Sequence, residues 1–315
     1  MPGFLLNRAL QYLLTAAAAS VIVFALMQLL PGSAAQVALG TEATPEAVRA
    51  LEAQYGLDRP WPVRYFEWVG GMLHRDFGTS YVTGAPIAPV IADGIQVTLI
   101  VVIASIAVAL ALAVPLGALA ALYRSRPLGA VIGAASQVGI AVPSFLAGIL
   151  LVMVFALGLR VLPASGWAAP IEGLGAFASH LVLPVTALAL VQAAILTRYV
   201  RSAVLEVMGR DFLRTARAAG RTRTGALVRH GLRSAAIPVV TVAGVQLAAL
   251  LVGAVVVEQV FVLPGIGSEL VRAVSNRDLV TVQGIVMVLV LAVLVLNFIV
   301  DLLYPVIDPR VRRGA

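Results

Sequence analysis

The sequence predicts an all-α integral membrane protein with six transmembrane helices, and three observations carry that expectation. Of 315 residues, 61% are apolar and only 12% are charged, about half the ~25% charge of an ordinary soluble domain. Marking every Asp, Glu and Arg leaves six intervals without a formal charge: 9–41, 94–123, 127–159, 173–197, 234–257 and 279–300. Each is long enough to cross a bilayer, which takes about 20 mostly apolar residues in helical form. The remaining charge is gathered in one place. Between Arg198 and Ser234 nine Arg stand against two acids, Glu206 and Asp211, an excess of seven that equals the net charge of the whole chain.

Residues 1–30 read as the first transmembrane helix with a cytoplasmic amino terminus. The apolar run from Ala9 to Leu30 is longer than the apolar core of a cleaved signal peptide. Residues 31–94 read as an external helical region. Thr44 before Pro45 has the character of a helix N-cap with proline at the first helical position; Val48, Leu51 and Tyr55 share one face, and Gly56 can end the helix. A second short helix is expected to start near Pro60 and to carry Trp61, Tyr65, Phe66, Trp68 and Met72. Both are amphipathic helices of the kind that lie over the outer mouth without crossing the membrane. In this region Glu42, Glu46, Glu52, Asp58, Glu67, Asp76 and Asp93 outnumber four Arg.

Residues 95–308 are expected to hold the other five spans, with 77–92 and 161–171 as loops. Pro115, Pro143, Pro184 and Pro238 lie in these spans, each either a packed kink or a hinge. Gln96, Gln137, Gln192, Gln246 and Asn297 are the notable polar residues within or beside the spans. They can line a pathway or hydrogen-bond between helices. From Glu258 to Leu270 the sequence is no ordinary loop: Pro264, Gly265 and Gly267 break the helix and permit unusual backbone angles, and Ser268 with Glu269 can start another short helix on the outer surface. Residues 309–315 form a cytoplasmic tail.

Orientation follows from arginine placement. With both termini inside, fifteen Arg lie on the cytoplasmic side: Arg8, Arg124, Arg126, the nine of 198–234, and Arg310, Arg312 and Arg313. Seven remain outside, which fits the positive-inside bias. Trp61, Trp68 and Trp167 then all lie outside, where their rings suit either the membrane interface or the packing of loop elements.

Composition also excludes chemistry. The chain has no Cys, hence no disulfide framework and no Cys-based metal site. It has no Lys either, so it cannot build a Walker A loop, whose lysine reaches the phosphates of ATP. No catalytic residue, metal ligand or cofactor is expected on this chain, and no nucleic-acid partner. An ion-coupled secondary transporter generally carries ionisable residues inside the membrane, whereas these six intervals have none, with Glu258 and Asp301 only at their edges. A non-transport scaffold would account for the apolar spans but gives no reason for the charged loop's pattern.

Within that loop Asp211 is expected as the N-cap of a helix over 212–219, and Gly220 stands where a helix closes with a left-handed residue. Arg210, Arg214, Arg217 and Arg221 recur at spacings of four, three and four, a helical stripe. Charge alone leaves two readings: a juxtamembrane helix against anionic lipid heads, or a surface offered to a protein partner.

The order of residues adds a resemblance. Arg214-Thr215-Ala216-Arg217-Ala218-Ala219-Gly220, with Arg229-His230-Gly231-Leu232-Arg233 and Ile237-Pro238 after it, resembles the EAA loop of ABC importer permeases in its peptide-transporter form. There Glu-Ala-Ala is commonly replaced by Arg-Thr-Ala. The general family's later Leu-Pro falls on Leu232-Arg233, without the proline. Tyr55-Gly56-Leu57-Asp58-Arg59-Pro60, Asp76-Phe77-Gly78-Thr79-Ser80, Pro264-Gly265-Ile266-Gly267, Asn276-Arg277-Asp278, Asp301-Leu302-Leu303-Tyr304 and Asp308-Pro309-Arg310 are similar to that subgroup, in order along the chain. Leu30-Pro31-Gly32-Ser33-Ala34 departs from it, lacking the Asp that usually follows Pro-Gly.

The resemblance implies a type I ABC importer permease fold with a cytoplasmic coupling helix, in a multi-pass protein of the bacterial cytoplasmic (inner) membrane. It implies a second homologous permease subunit in a heterodimer, two cytoplasmic ABC ATPase subunits that use ATP and Mg, an external substrate-binding protein, and contact with membrane lipid. Asp211, Arg214, Thr215, Ala216, Arg217 and Gly220 would couple the membrane helices to the ATPases, and Gln96, Gln137, Gln192 and Gln246 are candidates to line the pathway. The substrates implied are di- and oligopeptides first, then nickel chelates, glutathione or oligosaccharides.

Overall fold

The structure is a computed structural model that describes residues 2–29, 39 and 44–307. The helices, in order, are α1 (Pro2–Leu29), α2 (Pro45–Gln54), α3 (Trp61–Leu73), α4 (Ile87–Leu122), α5 (Pro127–Ala141), α6 (Ser144–Leu151), α7 (Leu174–Met208), α8 (Asp211–Ala218), α9 (Arg223–Ala226), α10 (Leu232–Phe261), α11 (Ile266–Ser275) and α12 (Leu279–Ile307). Wider π turns, Val152–Gly158 and Leu227–Gly231, extend α6 and lead into α10. Among the described residues the extended pairing is a single bridge between Thr79 and Pro86.

Five helical runs are long and apolar enough to cross a membrane: Leu6–Leu29, Ile87–Leu122, Leu174–Met208, Arg223–Phe261 and Leu279–Leu302. The sixth charge-free interval, 127–159, is not one rod. It is a pair of helices, Pro127–Ala141 and Ser144–Gly158, bent by 100° at the break. The cause is local. The Pro143 ring excludes the α region for the residue before it, so Val142 takes φ −86°, ψ 119° and ends α5. Pro143 itself, at φ −63°, ψ 145°, then precedes the first turn of α6. Pro115, Pro184 and Pro238, by contrast, are carried inside continuous helices.

Contacts divide the chain into two compact units. The first is built mainly of Leu99–Leu263 with the last span from Val295 onward. Its core near the charged loop joins Ala121 of α4, Val200, Ala203, Val204 and Val207 of α7, Leu227 of the second π turn, and Ala235 and Val239 of α10. Ser105 of α4 is fully buried and donates to the carbonyls of Val101 (2.7 Å) and, across to α7, Val185 (3.3 Å). Small residues let these helices approach closely, as is usual where lipid supplies no hydrophobic drive between them.

The second unit comprises the described parts of Leu5–Thr98 together with Pro264–Leu294. Thr44 caps α2 as expected, accepting from the Ala47 N–H at 3.2 Å, and Gly56 turns the chain out of it at φ +66°. Val48 is buried, and Tyr55 stacks on Tyr81 with ring centroids 3.9 Å apart. Helix α3 docks onto α1. Tyr65 meets the Ser20 hydroxyl at 2.8 Å and the Phe24 ring edge-on at 5.5 Å, and Trp68 packs on the same Phe24. Trp68 and Trp167, which meets Phe177 edge-on, thus serve packing, while Trp61 is exposed.

Several boundaries differ from the sequence expectation. Helix α4 begins at Ile87, inside the stretch 77–92 expected as loop, and tolerates exposed Asp93 in its second turn. Helix α11 begins at Ile266 and not at Ser268, because the Thr98 hydroxyl accepts from the Ile266 N–H (3.0 Å) and so satisfies a donor that the helix start would leave bare. The left-handed residue before it is Val262 (φ 51°, ψ 49°), while Gly265 is extended and Gly267 helical. Leu30-Pro31-Gly32-Ser33-Ala34, Glu42, Asp308-Pro309-Arg310, Arg312, Arg313 and the tail 309–315 lie outside the described residues.

Candidate functional site

The arginine-rich loop folds into a short helix fastened at one side and open at the other. Its fastening residue is Leu213, 3% exposed, which enters the first unit's core beside Val204, Val207 and Leu227. Gly231 makes room for this seat. A Cβ there would stand 2.7 Å from a Leu227 methyl and 3.3 Å from methyls of Leu213 and Val207. The ends of two long spans and the short helix between them therefore share one packed core, so displacing α7 or α10 drags α8 with it.

The N-terminus of α8 corrects the sequence reading. Arg210, at φ −74°, ψ 146°, occupies the cap position without a side-chain hydrogen bond, and Asp211 is the first helical residue. The carboxylate of Asp211 is exposed beside Arg214 (3.5 Å), and its carbonyl accepts from the Thr215 hydroxyl (3.1 Å). A negative group in the first turn complements the helix dipole. Arg210 itself pairs with Glu206 of α7 at 2.6 Å. Such exposed pairs are worth about 0–1 kcal/mol each, so they orient side chains more than they hold the fold.

At the C-terminus Gly220 takes φ +86°, the left-handed turn expected of it. Its N–H donates to the Arg217 carbonyl (3.0 Å) and the Arg221 N–H reaches back to the Ala216 carbonyl (3.2 Å). This is the paired closure in which orphan carbonyls of the last turn are satisfied. A Cβ at Gly220 would meet nothing within 4 Å. Glycine is required there by the backbone angle alone.

Beyond the closure Thr222 caps α9 through the Gly225 N–H (3.1 Å). Arg214, Arg217, Arg221 and Arg223 line one open recess with Ala218 and Thr222. All four Arg are exposed, and Ala216, half-buried, packs on the core side. The stripe seen in the sequence is thus the outward face of the helix, and the seat Leu213–Gly231 is the part the sequence did not disclose. Three residues after Arg210 and four before Arg217, Leu213 has the stripe's own spacing, so periodicity gives no signal that would have marked it.

The other polar candidates fall in different surroundings. Gln96 on α4 and Gln137 on α5 are exposed, Gln246 on α10 is half-buried, and Gln192 on α7 is 7% exposed. The Gln192 Oε1 is buried without a hydrogen-bond partner among the described residues. Asn297 is half-buried on α12. Among the described residues no group of three or more His, Cys, Asp or Glu is placed to hold a metal ion.

The structure is thus a bundle of apolar membrane helices with a short charged helix seated between the ends of two spans, the form expected of a transport permease. Comparison with known proteins agrees. Residues 113–313 match the binding-protein-dependent transport system inner membrane component family, and residues 1–113 match the N-terminal part of the same systems' membrane component. A protein of Brucella abortus (strain 2308), assigned by name to a peptide transport system as permease, is 35% identical over 312 residues, 99% of each chain. A glutathione transport system permease of Salmonella choleraesuis (strain SC-B67) is 36% identical over 315 residues, again 99% of each. A crystal structure of an amino acid ABC transporter with histidines aligns with TM-score 0.50 at 17% identity, covering 68% of this chain and 92% of that one, and so shares the fold. The chain belongs to the family of inner membrane components of binding-protein-dependent transport systems, as a permease of an ABC importer.

Proposed function

We propose that this chain is the peptide-translocating permease of an inner-membrane ABC importer, paired with a second, homologous permease. Both termini face the cytoplasm, two ABC ATPase subunits sit below α8, and an external binding protein delivers the substrate. The observation that carries this reading is the seat of α8: Leu213 fixes the helix to the spans while Arg214, Arg217, Arg221 and Arg223 point away. Asp211, Arg214, Thr215, Ala216, Arg217 and Gly220 couple the ATPases to the spans, and closure of the ATPase pair on ATP moves α8 with α7 and α10. The two equilibria then become one.

The chain supplies no ATP site, so the nucleotide chemistry belongs to its partners. Gln96, Gln137, Gln192 and Gln246 are the residues we assign to the pathway. Peptides are favoured as substrate because the names of the relatives point to peptides and to glutathione, itself a tripeptide.

Two measurements test this. The chain, its partner permease and the ATPases are reconstituted in liposomes with the loaded binding protein, and accumulation of a labelled dipeptide is followed; uptake should require ATP. Uptake without ATP, or no uptake of any peptide that the binding protein holds, would refute the function. In intact cells, single cysteines at Ala53, Ser165 and Ser275 should react with an impermeant maleimide while those at Ser125 and Thr222 should not. Labelling at Thr222 would refute the orientation and the coupling with it.

A further inference from the structure

The second unit contains a cavity of about 440 Å³ that none of the coupling machinery uses. Its volume falls in the range of small-molecule sites, about 300–1,000 Å³. Tyr55 and Tyr81 stack on one side, nearly parallel at 9°, and Trp68 of α3 lines another. Arg64 and Glu67, of opposite charge, belong to the same lining. From α12 comes Gln283, 9% exposed, whose carboxamide has no hydrogen-bond partner among the described residues.

A carboxamide that lines a cavity and bonds to no protein group keeps its hydrogen-bonding capacity for whatever the cavity holds. A carboxamide offers one acceptor oxygen and two N–H donors, the same pair of functions, reversed, that a peptide group presents. The rings offer an aromatic side chain a stacked or edge-on seat. Arg64 offers a counter-charge to a carboxylate, while the Glu67 carboxylate is already paired with Arg59 at 2.8 Å. Burial pushes the Tyr81 phenol above its ordinary pKa, with Arg64 opposing, so the phenol stays neutral and remains a donor.

We propose that this cavity binds a short peptide bearing an aromatic side chain, its peptide group paired with the Gln283 carboxamide and its ring against Tyr55, Tyr81 and Trp68. The inference rests on the peptide reading above and adds a station for the substrate in the external region, outside the spans' pathway.

The test uses the full chain in lipid nanodiscs and titration calorimetry, with empty nanodiscs subtracted. Alanyl-phenylalanine should bind saturably at or below the order of millimolar, and Gln283→Leu should weaken it at least ~10-fold. Para-cresol, a ring without a peptide group, should bind wild type and Gln283→Leu alike. Because the amide bonds to nothing, Gln283→Leu should leave the thermal midpoint unchanged or raise it. Tyr81→Leu, a second variant on another element, should also weaken the dipeptide. No saturable binding, equal dipeptide affinity in wild type and Gln283→Leu, or para-cresol losing affinity in parallel would overturn the site. A lowered midpoint in Gln283→Leu would do the same, since it would mean the amide is already held. Uptake of alanyl-phenylalanine by the complete importer separates the two readings: uptake with no Gln283 dependence refutes the cavity alone, and binding with no peptide uptake refutes the substrate class alone.

Discussion

Of the helix ends in this protein that close with the same pair of hydrogen bonds, two carry opposite residues at the left-handed position, a glycine and a β-branched side chain. After α8 the residue is Gly220, at φ +86° in open space. After α10 it is Val262, at φ 51°, with the Val262 N–H on the Gln259 carbonyl (3.4 Å) and the Leu263 N–H on the Glu258 carbonyl (2.9 Å). A β-branched residue in that conformation costs about 1–2 kcal/mol, and Val262 recovers little by burial, being 67% exposed. Its neighbours hold it. Phe261 (1% exposed) and Leu263 (2%) are buried on either side, and the Phe261 carbonyl accepts from the Gly166 N–H at 2.8 Å. One closure is unstrained and lightly held, the other strained and clamped: the direction in which the chain leaves α8 is set by its own backbone, and that after α10 by packing.

Four substitutions break or sharpen this contrast. The largest effect is expected at the clamp, where Phe261→Ala should cost about 3–5 kcal/mol, read as a lowered unfolding midpoint of the purified chain. A loss under about 1 kcal/mol would mean that something else holds Val262. Next, Gly220→Val should cost about 1–2 kcal/mol and, by redirecting the chain leaving α8, abolish uptake while the protein still inserts. Normal uptake by this variant, with Arg removal merely loosening anionic lipid, would make the loop a lipid anchor. Third, Val262→Gly should raise stability by about 0.5–1 kcal/mol, the strain relieved less the backbone entropy that glycine adds. A destabilisation there would show that the valine side chain carries packing of its own. Last, Arg221→Lys, on the exposed stripe, should change stability and uptake within about 0.5 kcal/mol or its equivalent in rate.

The spans were readable in the sequence because lipid demands apolar side chains along a whole helix, and counting charges measures that demand directly. The same count is blind to the backbone. It treated 127–159 as one span although Val142–Pro143 breaks it, and it excluded 87–93 from α4 because of Asp93, a carboxylate that a helix end exposed to water accepts. The stripe of Arg210, Arg214, Arg217 and Arg221 and the turn at Gly220 were readable because helical spacing and a left-handed closure are local. Leu213 in its seat was not, since its partners Val207, Leu227 and Gly231 come from elements on both sides of the loop. Gln283 and Tyr81, some 200 positions apart in the chain, lay still further from any local pattern.

The break between α5 and α6 has a consequence for hydration. A helix that stops within an apolar stretch leaves its last carbonyls and the next helix's first N–H groups without intrahelical partners. The first regular bond of α6 runs from the Ala147 N–H to the Pro143 carbonyl at 3.0 Å, which leaves the N–H groups of Ser144, Phe145 and Leu146 before it. Hydrocarbon can serve none of these. The corner at Val142–Pro143 is therefore a place that acyl chains cannot cover alone, where water or another protein surface must meet the backbone.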